Sequence, residues 1–241
     1  MSQIKVEYIN HCGDDLSVVN AARCSFDKES EWLSSGSKND YEGVVYQKIN
    51  GFPVNLKKED AKLINYLASH KHYSPFNHSF ISVRVKAPVF VARQLVKHKF
   101  MPWNEVSRRY VKGEVEFYIP EYWRQAVDNV KQGSSQEDAN PVSLWQFDSW
   151  VEDVEAHHED ALNFYNHLIE EGVCAEQARQ VLPQSMMTTW VWSGTLGAFC
   201  DMLKLRLDPH TQYETRLVAQ EVSKIVKELF PVSYKALVGE E

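Results

Sequence analysis

The spacing of apolar and polar residues predicts strands and helices along most of the chain. In FISVRVKA (80–87) the two kinds of residue alternate, as they do in a half-buried strand. Strands are predicted at 4–9, 80–87, 114–120 and 188–192. Apolar residues three and four positions apart are typical of helices. Asp14 and Pro88, which favour a helix N-terminus, stand at the first position of two of these segments. Helices are predicted at 14–26, 57–70, 88–99, 142–171, 175–182, 194–207 and 213–230.

Two polar stretches interrupt this pattern. The first covers about 27–56 and contains SSGSKNDYEG, and the second is VKQGSSQEDANP, near 130–141; both have the composition of loops or insertions. No internal repeat, linker or change of composition divides the remainder of the chain. The pattern therefore predicts a single α+β domain over 1–241, in which helices pack on a mostly antiparallel sheet.

Composition and charge restrict the class of protein. Hydrophobic residues make up 44% of the 241 residues, which is enough for a sizeable core, and the formal net charge is −7. An acidic chain does not favour sequence-independent binding to nucleic acid or to a membrane surface, because both depend on summed positive charge. The four cysteines are far apart, and neither a leader-like segment nor an apolar run of about 18 residues is evident. A soluble cytoplasmic protein with reduced thiols is expected.

Positive charge is concentrated in KHKFMPWNEVSRRY (97–110), which we call the basic segment. It holds Lys97, Lys99, Arg108 and Arg109 and lies where the third predicted helix ends. Cations near a helix C-terminus complement the helix dipole. Guanidinium groups beside a hydroxyl and a carboxylate are also what binding of a phosphorylated ligand requires. A phosphate-ligand site and a solvated charged loop are both compatible with these residues alone.

Histidines cluster in two places. HKHYSPFNH contains His70, His72 and His78, but their spacing differs from that of structural zinc sites, and no Asp, Glu or Cys joins them in the segment. Hydrogen-bonding or cofactor-facing histidines are therefore expected there, and no metal. His157 and His158 lie in HHED on the long predicted helix, where solvated side chains are expected. The GxGxxG, Walker and GxSxG motifs do not occur in the sequence.

The basic segment resembles the signature of the flavin-dependent thymidylate synthases, which is Arg-His-Arg, seven residues and then Ser. Here the signature reads Lys97-His98-Lys99, FMPWNEV, Ser107. The resemblance extends over about 4–235. It includes HKHYSPFNHSF, KAPVFVARQ and NEVSRRY, followed by ARQVLP, SGT and LKLR, in the order found in that family.

The resemblance implies a homotetrameric enzyme that methylates dUMP to dTMP. Such enzymes take a methylene group from methylenetetrahydrofolate and a hydride from reduced FAD, which NADPH has reduced. By resemblance, the residues that contact dUMP are Gln94, Lys97, Glu105, Val106, Ser107, Arg108, Arg109, Arg179 and Arg206. Those that contact FAD are His72, Ser74, Lys97, His98, Lys99, Glu105, Thr195 and Asp201.

The resemblance assigns the catalytic role to Arg206, in LKLR. A guanidinium beside N3 of uracil favours the N3 anion, which pushes electron density toward C5, the carbon that receives the methyl group. No cysteine nucleophile is then needed, and none of the cysteines falls at a matched motif position. Ser107 is interpreted as a ligand of dUMP, because no base is evident beside it. Without the resemblance, Arg179 and Arg206 would be read as charged positions on amphipathic helices.

The sequence departs from the family pattern at several positions. Lys97 and Lys99 replace arginines, which keeps the charge and loses the planar fork. Gly197 stands where many relatives carry an arginine near the flavin, and Thr195 and Asp201 stand where some carry asparagine. Weaker or differently placed FAD contacts are expected.

Three alternatives to thymidylate synthesis stay open on the sequence. A relative could transfer another one-carbon group, such as hydroxymethyl, to a pyrimidine nucleotide. A metal-dependent nucleotide hydrolase could use His70, His72 and His78. A catalytically silent binder of flavin or nucleotide would account for the lysine and glycine departures.

Overall fold

Two strands with buried alternate residues form the centre of the sheet. They are β4 (Phe80–Pro88) and β6 (Met187–Thr195), which pair antiparallel over their whole length, from Phe80 opposite Thr195 to Pro88 opposite Met187. The protein is described by a computed structural model over residues 3–33, 46–49, 52–111, 113–120, 123–124 and 144–239.

The remaining strands extend this sheet or form a separate hairpin. They are β1 (Lys5–Cys12), β2 (Tyr46–Ile49), β3 (Phe52–Asn55) and β5 (Trp103–Glu105). The sheet order is β1-β4-β6-β5, and β2 pairs with β3 alone; all of these pairs are antiparallel. The predicted α+β class with a mostly antiparallel sheet is therefore confirmed.

Helices cover the sheet and its ends. They are α1 (Asp15–Arg23), α2 (Lys58–Ser69), α3 (Val89–Leu95), α4 (Leu144–Glu170), α5 (Ala175–Ala178), α6 (Leu196–Arg206), α7 (Tyr213–Leu229) and α8 (Pro231–Leu237). Short 3-10 helices lie at Cys24–Phe26, Ser74–Asn77 and Arg179–Val181. No helix in these described ranges is both long and apolar enough to cross a membrane.

The core forms where the inner residues of the strands meet the apolar stripes of the helices. Ile81, Val83 and Val85 of β4 are fully buried, as their alternation predicts. On α7, the buried set includes Val218 and Val222, one turn apart. One continuous buried cluster joins residues from β1 through α8.

Strand-to-helix junctions at opposite ends of the central pair determine where the functional segments lie. β4 runs through Pro88 into α3, and β6 runs through Thr195 into α6. Because the two strands are antiparallel, α6 begins beside the start of β4, next to the 3-10 helix Ser74–Asn77. α3 begins beside the start of β6, at Met187.

Three secondary-structure predictions need correction. Residues 114–120 are not a regular strand, because only Phe117 forms an isolated bridge, to Met186. The polar stretch 27–56 contains the β2–β3 hairpin as well as loop, although 34–45 and 50–51 lie outside the described residues. The stretch 130–141 also lies outside them. The short strand β5 was not expected within the basic segment.

A buried carboxylate ties the two ends of the chain together. Asp15, at the start of α1, is fully buried and accepts hydrogen bonds from the backbone N–H groups of Val232 and Ser233, both at 2.9 Å, and from Ser233 Oγ at 2.6 Å. These N–H groups belong to the first turn of α8, so Asp15 caps a helix more than 200 residues away in sequence.

We expect Asp15→Asn to lower the free energy of unfolding by about 1–3 kcal/mol, because an amide cannot accept from all three donors. Chemical denaturation followed by circular dichroism measures this loss. The exposed Asp153→Asn on α4 serves as the control and is expected to leave stability unchanged. An Asp15→Asn protein as stable as the wild type would show that the cap contributes nothing.

Candidate active site

The basic segment leaves α3 and returns to the sheet as β5. Trp103 pairs with Trp192 and Glu105 with Trp190, and the indole of Trp103 stacks on that of Trp190 with centroids 4.4 Å apart. Trp190 and Trp192 are almost fully buried. The tryptophan stack therefore anchors the first part of the basic segment to the core and fixes the position of Glu105.

Glu105 has both carboxylate oxygens engaged. Thr188 Oγ1 donates to Oε1 at 2.9 Å, and Trp103 Nε1 donates to Oε2 at 3.1 Å. This carboxylate lines a cleft of about 420 Å³ beside the start of β6, which we call the Glu105 cleft. Val106, Arg108 and Arg179 line the same cleft. The structure thus brings together four of the residues predicted to contact dUMP.

The two arginines of the basic segment have different surroundings. Arg108 donates to the backbone carbonyls of Gly113 and Glu114, both at 2.7 Å. Arg109 is exposed, and its Nε lies 3.4 Å from a carboxylate oxygen of Glu176. Ser107 Oγ accepts from the backbone N–H of Arg109 at 3.3 Å. Arg108 is therefore held at the cleft wall, whereas Arg109 lies on the outer surface of the chain.

A second cleft, of about 820 Å³, lies at the C-terminal end of α6. Gln94 from α3 and Arg206 from α6 both line it, and we call it the Arg206 cleft. The side-chain oxygen of Gln94 is buried and has no hydrogen-bond partner among the described residues. A buried acceptor without a partner is costly to the folded chain.

Arg206 is half-buried and is fixed by His98 from the basic segment. Its Nε donates to His98 Nε2 at 3.0 Å. Burial, and then the positive charge of Arg206, lower the pKa of His98 to about 4. Burial also lowers the pKa of Arg206 from its usual value. A guanidinium is not deprotonated in proteins, so Arg206 remains a cation.

A third group of predicted residues meets at the other end of α6. Thr195 caps α6 by accepting from the N–H of Ala198 at 3.2 Å, and its hydroxyl donates to Asn77 Oδ1 at 2.8 Å. Asn77 shares a 3-10 helix with Ser74, so Thr195 and Ser74 lie on neighbouring segments. A Cβ at Gly197 would lie 2.5 Å from Asn77 Oδ1. Glycine at 197 therefore permits the close approach of α6 to the Ser74–Asn77 helix.

The other residues predicted to face FAD lie on exposed surface around these groups. His72 is exposed and tilts toward Tyr66, with ring centroids 6.2 Å apart. Asp201 Oδ1 lies 3.4 Å from Lys204 Nζ. Lys97 and Lys99 are exposed, and neither forms an ion pair with any residue in the described ranges. Both ammonium groups can therefore bind an anionic ligand.

The sequence reasoning missed several residues of the Arg206 cleft. Arg124 and Glu214 line it and form an ion pair at 2.6 Å, in which the Glu214 side chain is only 6% exposed. Lys204 and Gln212 line it too. One feature of the sequence could have indicated this ion pair. Glu214 lies in the first turn of α7 on an otherwise apolar face, and a buried acid there needs a cationic partner.

The expectation that His158 is solvated is wrong. It is buried against Phe117, with ring centroids 4.4 Å apart, and its Nε2 lies 2.7 Å from Ser185 Oγ. His157, one residue earlier, is exposed. The ring centroids of His70 and His72 are 6.4 Å apart. Over the described part of the chain, no three His, Cys, Asp or Glu side chains are grouped as a metal site requires.

Comparison with known proteins identifies the family. The family model described as thymidylate synthase complementing protein matches residues 7–232. The chain is 34% identical to the flavin-dependent thymidylate synthase of Kosmotoga olearia, over 97% of this chain and 90% of the relative. It is 35% identical to a flavin-dependent thymidylate synthase of Thermus thermophilus, over 96% of this chain and 74% of the relative.

Solved structures agree with this assignment. The chain matches the UMP/dUMP methylase PolB from Streptomyces cacaoi bound with 5-Br UMP, with a TM-score of 0.78, 27% identity and coverage of 98% of this chain and 94% of that one. The same methylase bound with 5-Br dUMP gives a TM-score of 0.76 at 29% identity, with the same coverage. The chain belongs to the thymidylate synthase complementing protein family, to which it was assigned on its basic segment and the motifs that accompany it.

Proposed function

We propose that this protein is a flavin-dependent thymidylate synthase, which methylates dUMP to dTMP. Methylenetetrahydrofolate would supply the one-carbon unit and NADPH the reducing equivalents. The observation that carries the proposal is the Arg206 cleft, which a half-buried guanidinium and the amide side chain of Gln94 both line. A uracil ring has the acceptor and donor edges that such a pair can bind.

In this proposal Arg206 provides the catalytic charge. Held near N3, its guanidinium stabilises the N3 anion in a partly desolvated site, and the resulting electron density at C5 makes that carbon nucleophilic. A thiol is not required. Cys200 is buried, and burial raises the pKa of its thiol far above the ordinary value, so it is not a thiolate at neutral pH.

Binding of the two anionic ligands would fall to separate groups of residues. Arg108 and Arg179 at the Glu105 cleft would hold the dUMP phosphate. Lys97, His98, Lys99, Ser74 and Thr195 would hold FAD. When bound, FAD supplies the hydride chemistry, while the protein orients the nucleotide and polarises its ring. Three exposed free thiols, Cys12, Cys24 and Cys174, fit a reducing compartment such as the cytoplasm.

The distribution of these residues supports a site shared between subunits. Glu105, Val106, Arg108 and Arg179 line one cleft, while Gln94 and Arg206 line another. A nucleotide that touches both sets requires that they be brought together, and different copies of the chain could supply them. A homotetramer with shared active sites, as the family resemblance implies, meets this requirement. Light scattering at the assay concentration tests it, and a monomer would count against it.

A second substrate is suggested by the solved relative. The matched methylase is named for both UMP and dUMP, and its two structures hold 5-Br UMP and 5-Br dUMP. We therefore include UMP as a candidate substrate beside dUMP. Mass spectrometry of the product separates methyl from hydroxymethyl transfer for either nucleotide, because the two products differ by one oxygen atom.

We expect Arg206→Ala to lower kcat by about 10²–10³, the usual cost of removing one preorganised electrostatic group. Steady-state turnover of dUMP measures this effect. The control is Lys224→Ala, which removes an exposed cation on α7 and should leave turnover unchanged. If Arg206→Ala retained wild-type kcat with dUMP, the catalytic role would belong to another residue.

We expect Lys97→Arg to tighten binding of FAD or dUMP by about 1.5–3 kcal/mol if the new guanidinium forms a buried charge-assisted bond. Fluorescence titration of each ligand against wild type and variant measures the change. Unchanged or weaker binding of both ligands would contradict the placement of Lys97.

The first test of the redox function is anaerobic. We expect NADPH to bleach the flavin absorbance of the FAD-loaded protein, and dUMP to accelerate the bleaching, because both ligands would occupy one site. The matched control adds dTMP instead of dUMP. A protein that binds no flavin, or holds a flavin that NADPH never reduces, would instead support the silent-binder alternative.

A further inference from the structure

The hydrogen bond between Arg206 and His98 fixes the protonation state of the histidine. A guanidinium has five N–H donors and no acceptor, so the ring nitrogen that Arg206 Nε contacts at 3.0 Å must be the acceptor. Nε2 of His98 therefore carries no proton. The imidazole is neutral, and its proton lies on Nδ1.

His98 is well placed to hold its partner still. Its backbone N–H donates to the carbonyl of Leu95 at 3.0 Å, and its ring lies 6.4 Å from that of Trp192, tilted by 53°. Leu95 and Trp192 are both fully buried. His98 is thus attached to the end of α3 and to the sheet, whereas Arg206 belongs to the last turn of α6. Their bond connects two elements that approach each other only in the folded chain.

The bond also determines which edge of the guanidinium remains for a ligand. With Nε occupied by His98, the Nη1 and Nη2 groups form no hydrogen bond or ion pair with any other residue in the described ranges. Arg206 lines the cleft together with Gln94. A planar group attached at Nε loses rotational freedom, so the pair of Nη donors is presented in a fixed direction.

We propose that His98, as a neutral imidazole protonated on Nδ1, is a positioning residue that orients the Arg206 guanidinium toward the pyrimidine ring in the cleft. This inference rests on the proposed function and deepens it, because it assigns the orientation of the catalytic arginine to a second residue. The role is compatible with a flavin contact by His98, since Nδ1–H and the ring faces are not used by Arg206.

The electrostatics of the pair agree with this role. Protonation of His98 would place a second cation against Arg206 and remove the acceptor at the same time. Burial and the charge of Arg206 both oppose protonation, and they keep the pKa of His98 well below neutral. The arginine therefore helps to maintain the form of the histidine that binds it.

The tautomer can be observed without substrate turnover. Long-range ¹H–¹⁵N correlation spectra of the nucleotide-free protein at pH 6 report which imidazole nitrogen carries the proton, and His98→Gln identifies the His98 signals. We expect a neutral ring protonated on Nδ1. A charged ring, or a neutral ring protonated on Nε2, would overturn the proposal.

Two substitutions at His98 test the positioning role. His98→Leu removes the acceptor, and we expect kcat with dUMP, measured per bound flavin, to fall by about 10²-fold, as for a misplaced catalytic group. His98→Gln can still accept from Arg206 through its amide oxygen, and we expect it to recover most of the loss. The controls are His167→Leu and His167→Gln on the exposed face of α4.

A double variant separates positioning from a direct role. Lysine has no Nε–H donor at the same place, so in an Arg206→Lys background we expect His98→Leu to cause no further loss of kcat. Independent, multiplying losses of kcat would show that His98 acts without Arg206 and would overturn the proposal. If the wild-type protein binds flavin but never converts dUMP, the proposed function fails, and the tautomer measurement still decides whether His98 holds Arg206.

Discussion

The antiparallel pairing of β4 with β6 is the constraint on which the rest of the structure depends. Nine successive residue pairs connect the strands, and their inner side chains form the centre of the core. Each strand continues into a helix without an intervening loop, so the start of each helix is fixed by the register of the pair. A shift of β4 by one residue would turn Ile81, Val83 and Val85 toward the outer face. It would also move α3 and α6, which carry Gln94 and Arg206.

This arrangement explains why an acidic protein can concentrate cations locally. The basic segment begins just after α3 and runs through β5, so its lysines lie between two fixed points and its arginines follow the second. Lys97 and Lys99 remain exposed, where an ammonium group retains most of its hydration. Arg206 is half-buried and loses part of its hydration, and its hydrogen bond to His98 offsets some of that loss.

Much of the fold could be predicted from local patterns, because the main strands and helices have regular spacing. The period-two alternation of β4 and the helical spacing of α2 and α7 needed no tertiary information. β5 could not be predicted, because its three residues pair with β6, and Trp103 stacks on Trp190, which is far from it in sequence. His158 was misread for a related reason, since its partners, Phe117 and Ser185, come from other parts of the chain.

The candidate site, like the fold, could be predicted only in part from the sequence. The family motifs named the cations and Gln94, but spacing does not say which of them share a cleft. The departures from the family pattern also acquire a physical reason. Gly197 is not simply a missing arginine, because a side chain at 197 would collide with Asn77, which Thr195 also contacts. Lysine replaces arginine at exposed positions 97 and 99, which keeps the charge and loses the planar fork. Arginine is kept at 206, where Nε donates to His98 and the residue lines the cleft.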